Sequence, residues 1–413
     1  KTLGKPELAQ FQFSDEEKMP LEPIYQYGSS PTLSEDSTNV VIIIIESLAT
    51  EYVGALNGLE HGYTPFLDSL CGVSLVFRNG FANGHRSIEG IPAVVASIPT
   101  LMYEAFITSE FAKNRISSLA SLLKRTGYHT SFIHGGNENS MNFESFADIA
   151  DYDIIHNRWD HPFPTEHYDG YWGISDHYLL QNCVERFDGF PEPFFSSVFT
   201  LSSHHPYTLP EEYKDRFPKG TLPIHESIGY ADESLKLFFS KAATSKWFAN
   251  TLFIITADHT SLSDHAQYQS KLGSLRIPII FYHPTDTFFS GTSTVVMQQT
   301  DIMPTLLALL NYDEPFFCFG TNALDTLAEH AAVAFKNDQF QVYRNGYLTC
   351  FDGNEVTSIY NLNSDPLQIN NLVATDSAKF THNEAYLKAY IQNYSLALNN
   401  NLMTFETWSK GRK

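Results

Sequence analysis

A chain of 413 residues, 43% hydrophobic and 18% charged, carries enough apolar material for a large core, as one big α/β unit with an appendage or as two or three domains. Its 47 acidic side chains against 26 Lys and Arg leave a net charge of -21, which excludes a surface built to hold nucleic acid or an anionic membrane, because phosphates are gripped mainly by Lys and Arg. An anionic substrate would need a local cationic device such as a metal ion.

Residues 1 to 38 are polar and punctuated by Pro6, Pro20, Pro23 and Pro31 with Gly28-Ser29-Ser30, the texture of an extended arm. "NVVIIIIESLAT" follows. Its β-branched run, Val40 to Ile45, is too short to span a membrane and reads as a strand buried on both faces of a parallel sheet. The run ends on Glu46 and Ser47, at the strand edge where open α/β sheets bind ligands. Glu46 there either starts a helix or is placed for chemistry. "FANGHRSIEGIPAVVASIP", residues 81 to 99, sets Gly84-His85-Arg86-Ser87 before an apolar segment, Ile88 to Ile98, that suits a buried helix. Ser87 reads as a plain N-cap or as a group at an anion-binding helix start. Arg86 beside a helix N-terminus is unfavourable unless an anion is shared, which points to a phosphate or sulfate ester.

Further along, "SSLASLLKRTG" predicts a helix capped by Ser117 and ended by Gly127. Strands are predicted at 129–133, 194–200, 251–256 and 277–282, with helices at "SIGYADESLKLFFSKA" and at "DIMPTLLALL", the last capped by Asp301 with Pro304 in its first turn. Strand 194–200 runs into His204 and His205, strand 251–256 into Asp258 and His259, and His134 and His265 lie in neighbouring loops. Two strands delivering Glu46 and Asp258-His259 to one sheet edge would supply two carboxylates and an imidazole, a set suited to a divalent cation. After Asn311 the pattern turns to short strands around an Asn345-Gly346 hairpin and a helix at 382–398.

The expected architecture is therefore α/β: a mostly parallel central sheet with helices on both faces, plus a small C-terminal antiparallel α+β subdomain. Its expected boundaries are an arm at 1–38, a catalytic domain at 39–313 and the subdomain at 314–413. Cys71, Cys183, Cys318 and Cys350 are too far apart in sequence for a zinc motif. Their pairing is left open. No apolar stretch reaches the ~18 residues of a spanning helix; the chain as given is expected to be soluble, and a first residue other than Met fits a piece of a longer protein.

The ordered set "IIIIES", "TPFLDSL", "HRSIEG", "LSSHHPY", "TADHTS", "LRIPIIFYHP" and "DIMPTLLALL" resembles the sulfatase-like branch of the alkaline phosphatase superfamily, and within it the extracytoplasmic catalytic domain of lipoteichoic acid synthases and related phosphoglycerol transferases. The resemblance covers about residues 39 to 360. It implies that Glu46, Ser87, Asp258 and His259 bind one divalent cation, Mn or Mg with Zn also compatible, that Ser87 takes the nucleophile's place, and that His204, of a His-x-Pro pattern, contacts the phosphoryl group. Arg86 would add fixed positive charge, and His134 and His265 are further substrate-binding candidates. A phospholipid donor such as phosphatidylglycerol, a glycan or polymer acceptor, and a position outside the cytoplasmic membrane behind missing transmembrane helices are also implied.

Two departures bear on the chemistry. Ser87 is followed by Ile88-Glu89-Gly90-Ile91 rather than x-Pro-x-Arg, so conversion to formylglycine is not expected. The family's Trp-x-Arg element falls on Met141-Asn142-Phe143, so donor or acceptor is expected to differ. The alternatives are a metal-dependent phosphodiesterase or sulfuric-ester-type hydrolase, and a noncatalytic lipid-binding regulatory module.

Overall fold

The computed structural model describes residues 22–27, 38–375 and 381–411. Strand β1 is Ile24–Tyr25, β2 Asn39–Ile45, β3 Leu75–Phe81, β4 His129–His134, β5 Ile154–His156, β6 Phe194–Phe199 and β7 Thr251–Ala257. They are followed by β8 Ile279–Tyr282, β9 Gly291–Gln298, β10 Phe316–Phe317, β11 Ala331–Lys336, β12 Gln339–Arg344, β13 Tyr347–Phe351 and β14 Val356–Asn361. An eight-stranded sheet runs in the order β5-β4-β6-β2-β7-β8-β3-β9. Its centre, β6, β2 and β7, is buried along every residue, as the unbroken apolar runs require of parallel strands covered on both faces. β8 alone runs against its neighbours, so the sheet is mixed but mostly parallel.

Register decides what the carboxyl edge presents. Ile45 pairs with Ala257, so Glu46 and Asp258 leave adjacent strands at the same level. Ile44 lies opposite Phe199 and Phe199 opposite His134, which brings the start of the His204 loop to that level too. The strands that pattern reading passed over have physical reasons to be faint. β3 carries Arg78-Asn79-Gly80 in its middle, β9 is an edge strand whose first half is largely exposed, and β5 is three residues long.

Two helix starts differ from expectation. Ser118, not Ser117, caps helix Leu119–Arg125: its hydroxyl accepts the Ser121 N–H at 2.9 Å while Ser121 Oγ accepts the Ser118 N–H at 3.0 Å, a reciprocal box that satisfies two otherwise orphaned donors. Helix Ile302–Leu309 is preceded by a tight turn, Gln299–Asp301. Asp301 spends its carboxylate backwards on the Gln298 N–H, at 2.9 Å, and outwards on the Thr321 N–H, at 2.7 Å, so it caps the turn and not the helix.

β11 to β14 form an antiparallel sheet in sequence order. The Asn345-Gly346 hairpin has both central residues at positive φ, 53° and 79°, as a two-residue turn between right-twisted strands demands. Helix Thr381–Asn399 lies along β12 and β13, yet it also sends Leu387, Tyr390, Tyr394 and Leu398 into the main core, and the Tyr390 hydroxyl donates to the Phe319 carbonyl at 3.0 Å. The C-terminal part is thus packed against the large sheet through shared apolar surface. Of the expected arm, residues 22–27 pack on the body through β1 and β10, Ile24 facing Phe317; residues 1–21 and 28–37 lie outside the described ones. All four cysteines are free thiols, and no described helix is long and apolar enough to cross a membrane.

Buried Asn83 helps tie the two sheets together beside the site, next to Gln298, whose Oε1 also accepts the Val333 N–H at 2.8 Å. Asn83 donates through Nδ2 to Gln298 Oε1 at 2.8 Å and to the Val333 carbonyl at 2.9 Å, its Oδ1 accepts the Thr300 N–H at 3.0 Å, and its own N–H goes to Gln299 Oε1 at 2.8 Å. Truncation to Ala would strand several buried polar groups, each costing about 1–3 kcal/mol. Asn83→Ala is expected to lower the urea midpoint followed by near-UV circular dichroism by the equivalent of about 2 kcal/mol or more. An unchanged midpoint would show that the joint is dispensable.

Candidate metal and phosphoryl-transfer site

Glu46, at the end of β2, is fully buried. Its backbone N–H donates to Thr200 Oγ1 at 3.2 Å, and its Oε1 accepts the Ser47 hydroxyl at 2.6 Å. Ser47 bends the chain out of the strand in the left-handed region, φ 60°, a conformation that costs a residue with a Cβ about 1–3 kcal/mol. In exchange its N–H reaches Asp258 Oδ1 at 2.8 Å. The same oxygen accepts the His259 N–H at 2.8 Å, and Asp258 Oδ2, buried, has no hydrogen-bond partner.

His259 Nδ1 is 2.7 Å from the Thr260 carbonyl. A carbonyl only accepts, so Nδ1 carries the proton, and Nε2 of the neutral ring is a bare lone pair. That lone pair faces Asp258 Oδ2 at 3.2 Å and Glu46 Oε1 at 3.7 Å. Ser87 Oγ completes the group, donating to Glu46 Oε2 at 3.2 Å and lying 3.5 Å from His259 Nε2.

Ligand atoms of Glu46, Asp258 and His259 thus all lie within 4.8 Å of one another. Two carboxylates this close repel by at least about 3 kcal/mol even at an effective dielectric of ~20. Burial first, and Asp258 second, push the Glu46 carboxyl far above the usual carboxylate range. For His259 burial alone would lower the pKa, but Asp258 and then Glu46 outweigh it and raise it. Three converging lone-pair sets with an orphaned carboxylate oxygen fit a divalent cation, and an oxygen-rich set with one imidazole and a hydroxyl suits Mn or Mg and is compatible with Zn.

Several supports carry no signature in the sequence. Helix Ser87–Ala96 meets the strand end at Gly90, where a Cβ would lie 2.0 Å from the Asp258 carbonyl oxygen; only glycine lets the helix come close enough to bring Ser87 in. Gln299 donates to the carbonyls of Ala257 and Asp258 at 2.8 and 2.7 Å. Lys336, at the end of β11, donates to Ser274 Oγ at 2.7 Å, and the Ser274 carbonyl accepts Thr260 Oγ1 at 2.6 Å, so a cation from the small sheet is linked to the His259 loop.

The remaining expected residues are placed as follows. Ser87 is the first residue of its helix rather than the cap; Arg86 holds the cap position. The anion that Arg86 demands is supplied from its own helix: Glu89 accepts Arg86 Nε at 2.9 Å and the His85 N–H at 2.6 Å. The argument from Arg86 to an external ester therefore loses its force, and the half-exposed guanidinium is already neutralised.

His134 is buried with Nε2 3.2 Å from Glu144 Oε1, and its Nδ1 accepts the Gly136 N–H at 3.2 Å, so both ring nitrogens are engaged away from the cation group. His265 is exposed at the start of the short helix Ala266–Gln269, its N–H donated to Glu51 Oε1. His204 is partly buried in the loop after β6, its ring against Trp172 with centroids 3.9 Å apart. Met141 and Asn142 both lie at positive φ, 54° and 61°, in an irregular turn before helix Phe143–Ile149.

Fold and site together are those of a sulfatase-type alkaline phosphatase superfamily protein. The Sulfatase family profile matches residues 38–312, and the chain belongs to that family. The structure is similar to that of a protein in the alkaline phosphatase superfamily from Vibrio parahaemolyticus, with TM-score 0.80, 28% identity and coverage of 96% of this chain and 94% of that one. It shares its fold with the lipoteichoic acid synthase LtaP from Listeria monocytogenes, with TM-score 0.73, 20% identity and coverage of 89% and 93%. In sequence it is 24% identical over 307 residues to the lipoteichoic acid synthase-like YvgJ of Bacillus subtilis, covering 67% of this chain and 48% of that protein. It is also 24% identical over 405 residues to the lipoteichoic acid synthase of Staphylococcus aureus USA300, covering 89% and 58%. The chain spans about half the length of the curated relatives it matches.

A carboxyl whose pKa is raised on folding contributes stability at low pH that is lost as pH climbs from the ordinary carboxylate value through the raised one. The metal-free protein is therefore expected to melt at progressively lower temperature across that window. Glu46→Gln, which removes one of two facing charges and keeps the shape, should melt higher than the metal-free parent at neutral pH. Mn should raise the melting temperature of the parent and leave the variant unmoved, by about 2.7 kcal/mol of stabilisation in the parent at a hundredfold excess over Kd. Equal responses of parent and variant in differential scanning fluorimetry would remove Glu46 from the ligand set.

Proposed function

We propose that this protein is a metal-dependent phosphoglycerol-type transferase that takes a phosphorylated alcohol from a phospholipid such as phosphatidylglycerol and passes it to a glycan or polymer hydroxyl. The observation that carries this reading is the single convergence of Ser87 Oγ with Glu46, Asp258 and His259, an unmodified serine where a sulfate-ester hydrolase of the family would need formylglycine. The lipoteichoic acid synthase likeness supports the donor and acceptor classes, and a place for the domain outside the cytoplasmic membrane of a bacterium, attached through segments beyond this sequence. Expected boundaries at 38/39 and 313/314 belong to the same proposal.

Glu46, Asp258, His259 and Ser87 would hold one Mn or Mg ion, which when bound supplies positive charge that favours the serine alkoxide and the phosphoryl oxygens. Ser87 Oγ, as the alkoxide, forms a bond to phosphorus while the bond from phosphorus to the lipid alcohol breaks, and diacylglycerol leaves with a proton given by protonated His204, which is then neutral. The phosphoseryl group is then attacked by the acceptor hydroxyl, which gives its proton to His204, and Ser87 is released. His265 and Arg86 are second-line candidates for holding the donor headgroup; His134, buried and turned to Glu144, is not. Arg86 would have to share its charge with Glu89.

Ser87→Ala is expected to lower kcat by roughly 10³-fold or more with an unchanged melting temperature, since one hydroxyl contributes little to stability. The assay is diacylglycerol release from phosphatidylglycerol micelles in Mn, with the water-soluble products resolved by mass spectrometry with and without a glycan acceptor. Phosphoglycerol on the acceptor supports transfer. Free glycerol phosphate alone, whatever the acceptor, would replace transfer with hydrolysis, and absence of both turnover and stoichiometric Mn would leave a lipid-binding regulatory module.

A further inference from the structure

The loop carrying His204 is gripped at two points by the segment Tyr171–Asp176. Buried Asp176 accepts the backbone N–H groups of Leu201 and Ser202 through Oδ1 at 2.9 and 3.0 Å, and its own N–H donates to Ser202 Oγ at 3.0 Å. Gly173 makes the approach possible: a Cβ there would lie 2.3 Å from the Gly135 carbonyl oxygen and 2.8 Å from a Leu201 methyl. On the far side of His204, the Trp172 indole Nε1–H donates to the His205 carbonyl at 2.7 Å, and the indole packs against the His204 ring, tilted by 47° with centroids 3.9 Å apart. Trp172 is itself fixed, because Asp169 Oδ1 accepts the N–H groups of Tyr171, Trp172 and Gly173 at 2.8, 2.8 and 3.1 Å.

His204 Nδ1 is 2.9 Å from the same His205 carbonyl that the indole uses. The oxygen can only accept, so Nδ1 carries the hydrogen, and Nε2 of the neutral ring is left as the proton acceptor. We propose that Trp172 is a positioning residue which, by sharing the His205 carbonyl and packing against the imidazole, holds His204 as the Nδ1–H tautomer with Nε2 free to take the acceptor hydroxyl's proton. The catalytic consequence rests on the transferase reading; the tautomer does not.

Both are tested on protein labelled with ¹⁵N-histidine, in long-range proton–nitrogen spectra at pH 8, with His204 signals assigned by their loss in His204→Gln. The parent should show the Nδ1–H pattern. Trp172→Leu should show a mixture of tautomers and a kcat lower by about tenfold, the loss of one well-placed hydrogen-bonding constraint, at unchanged donor KM and Mn uptake. Trp172→Phe keeps a ring face without the N–H and should recover part of kcat; it serves as the comparison should the leucine variant not fold. A parent in the Nε2–H form, or a Trp172 variant with the parent's tautomer and kcat, would overturn the assignment. Full turnover by His204→Gln would sink the role given to His204 in transfer while leaving the spectra to decide on Trp172.

Discussion

Two carboxylates leave the sheet side by side, and the rest of the molecule is arranged around that fact. The parallel register of β2 on β7 sets Ile45 against Ala257, so Glu46 and Asp258 emerge at one level in an interior with no water to separate them. Such a pair is costly unless a cation or a proton sits between its oxygens. The Nδ1–H tautomer of His259 adds a third lone pair to the same point. What the burial of the β-branched strands stabilises is therefore a rigid frame for an electrostatic strain that a cation or a proton would relieve.

Small residues do the positioning. Ser47 accepts a left-handed backbone to hand both its donors to the facing carboxylates, and Gly90 lets a helix touch the Asp258 carbonyl. Gln299 and Asn83 chain the strand end to the loop before Ser87 and to the small sheet. Each is a local concession in conformational freedom or side-chain volume, and each shortens a distance at the site. Because the small antiparallel sheet is tied in through Asn83, Lys336 and the shared core of helix Thr381–Asn399, the C-terminal part contributes to site geometry and not only to bulk.

Met141-Asn142-Phe143 offers neither the indole nor the guanidinium of a Trp-x-Arg element, and Phe143 is buried in aromatic packing with Phe132, His134 and Phe199. Aromatic and cationic groups are found instead on the neighbouring segment, where Arg158 lies over the Tyr168 ring at 3.5 Å and Trp172 lies on His204.

The sequence by itself determined the strands that form the sheet centre, since unbroken apolar runs have no stable home but a doubly covered parallel sheet, and it determined that Glu46, Asp258 and His259 end such strands. The Asn345-Gly346 turn was equally legible, because few other dipeptides tolerate two positive φ values. Only the tertiary structure decided which groups meet. Arg86 turned out to be answered by Glu89 one helical turn away, His134 by Glu144, and Asp301 by the backbone N–H of Thr321. The need for glycine at positions 90 and 173 also comes from approach distances between segments far apart in the chain, while the tautomers of His259 and His204 are set by where the folded loops put the carbonyl of the following residue. Strand identity is a property of local hydrophobic periodicity, whereas site geometry depends on register and on sub-ångström packing between elements, which no local pattern records.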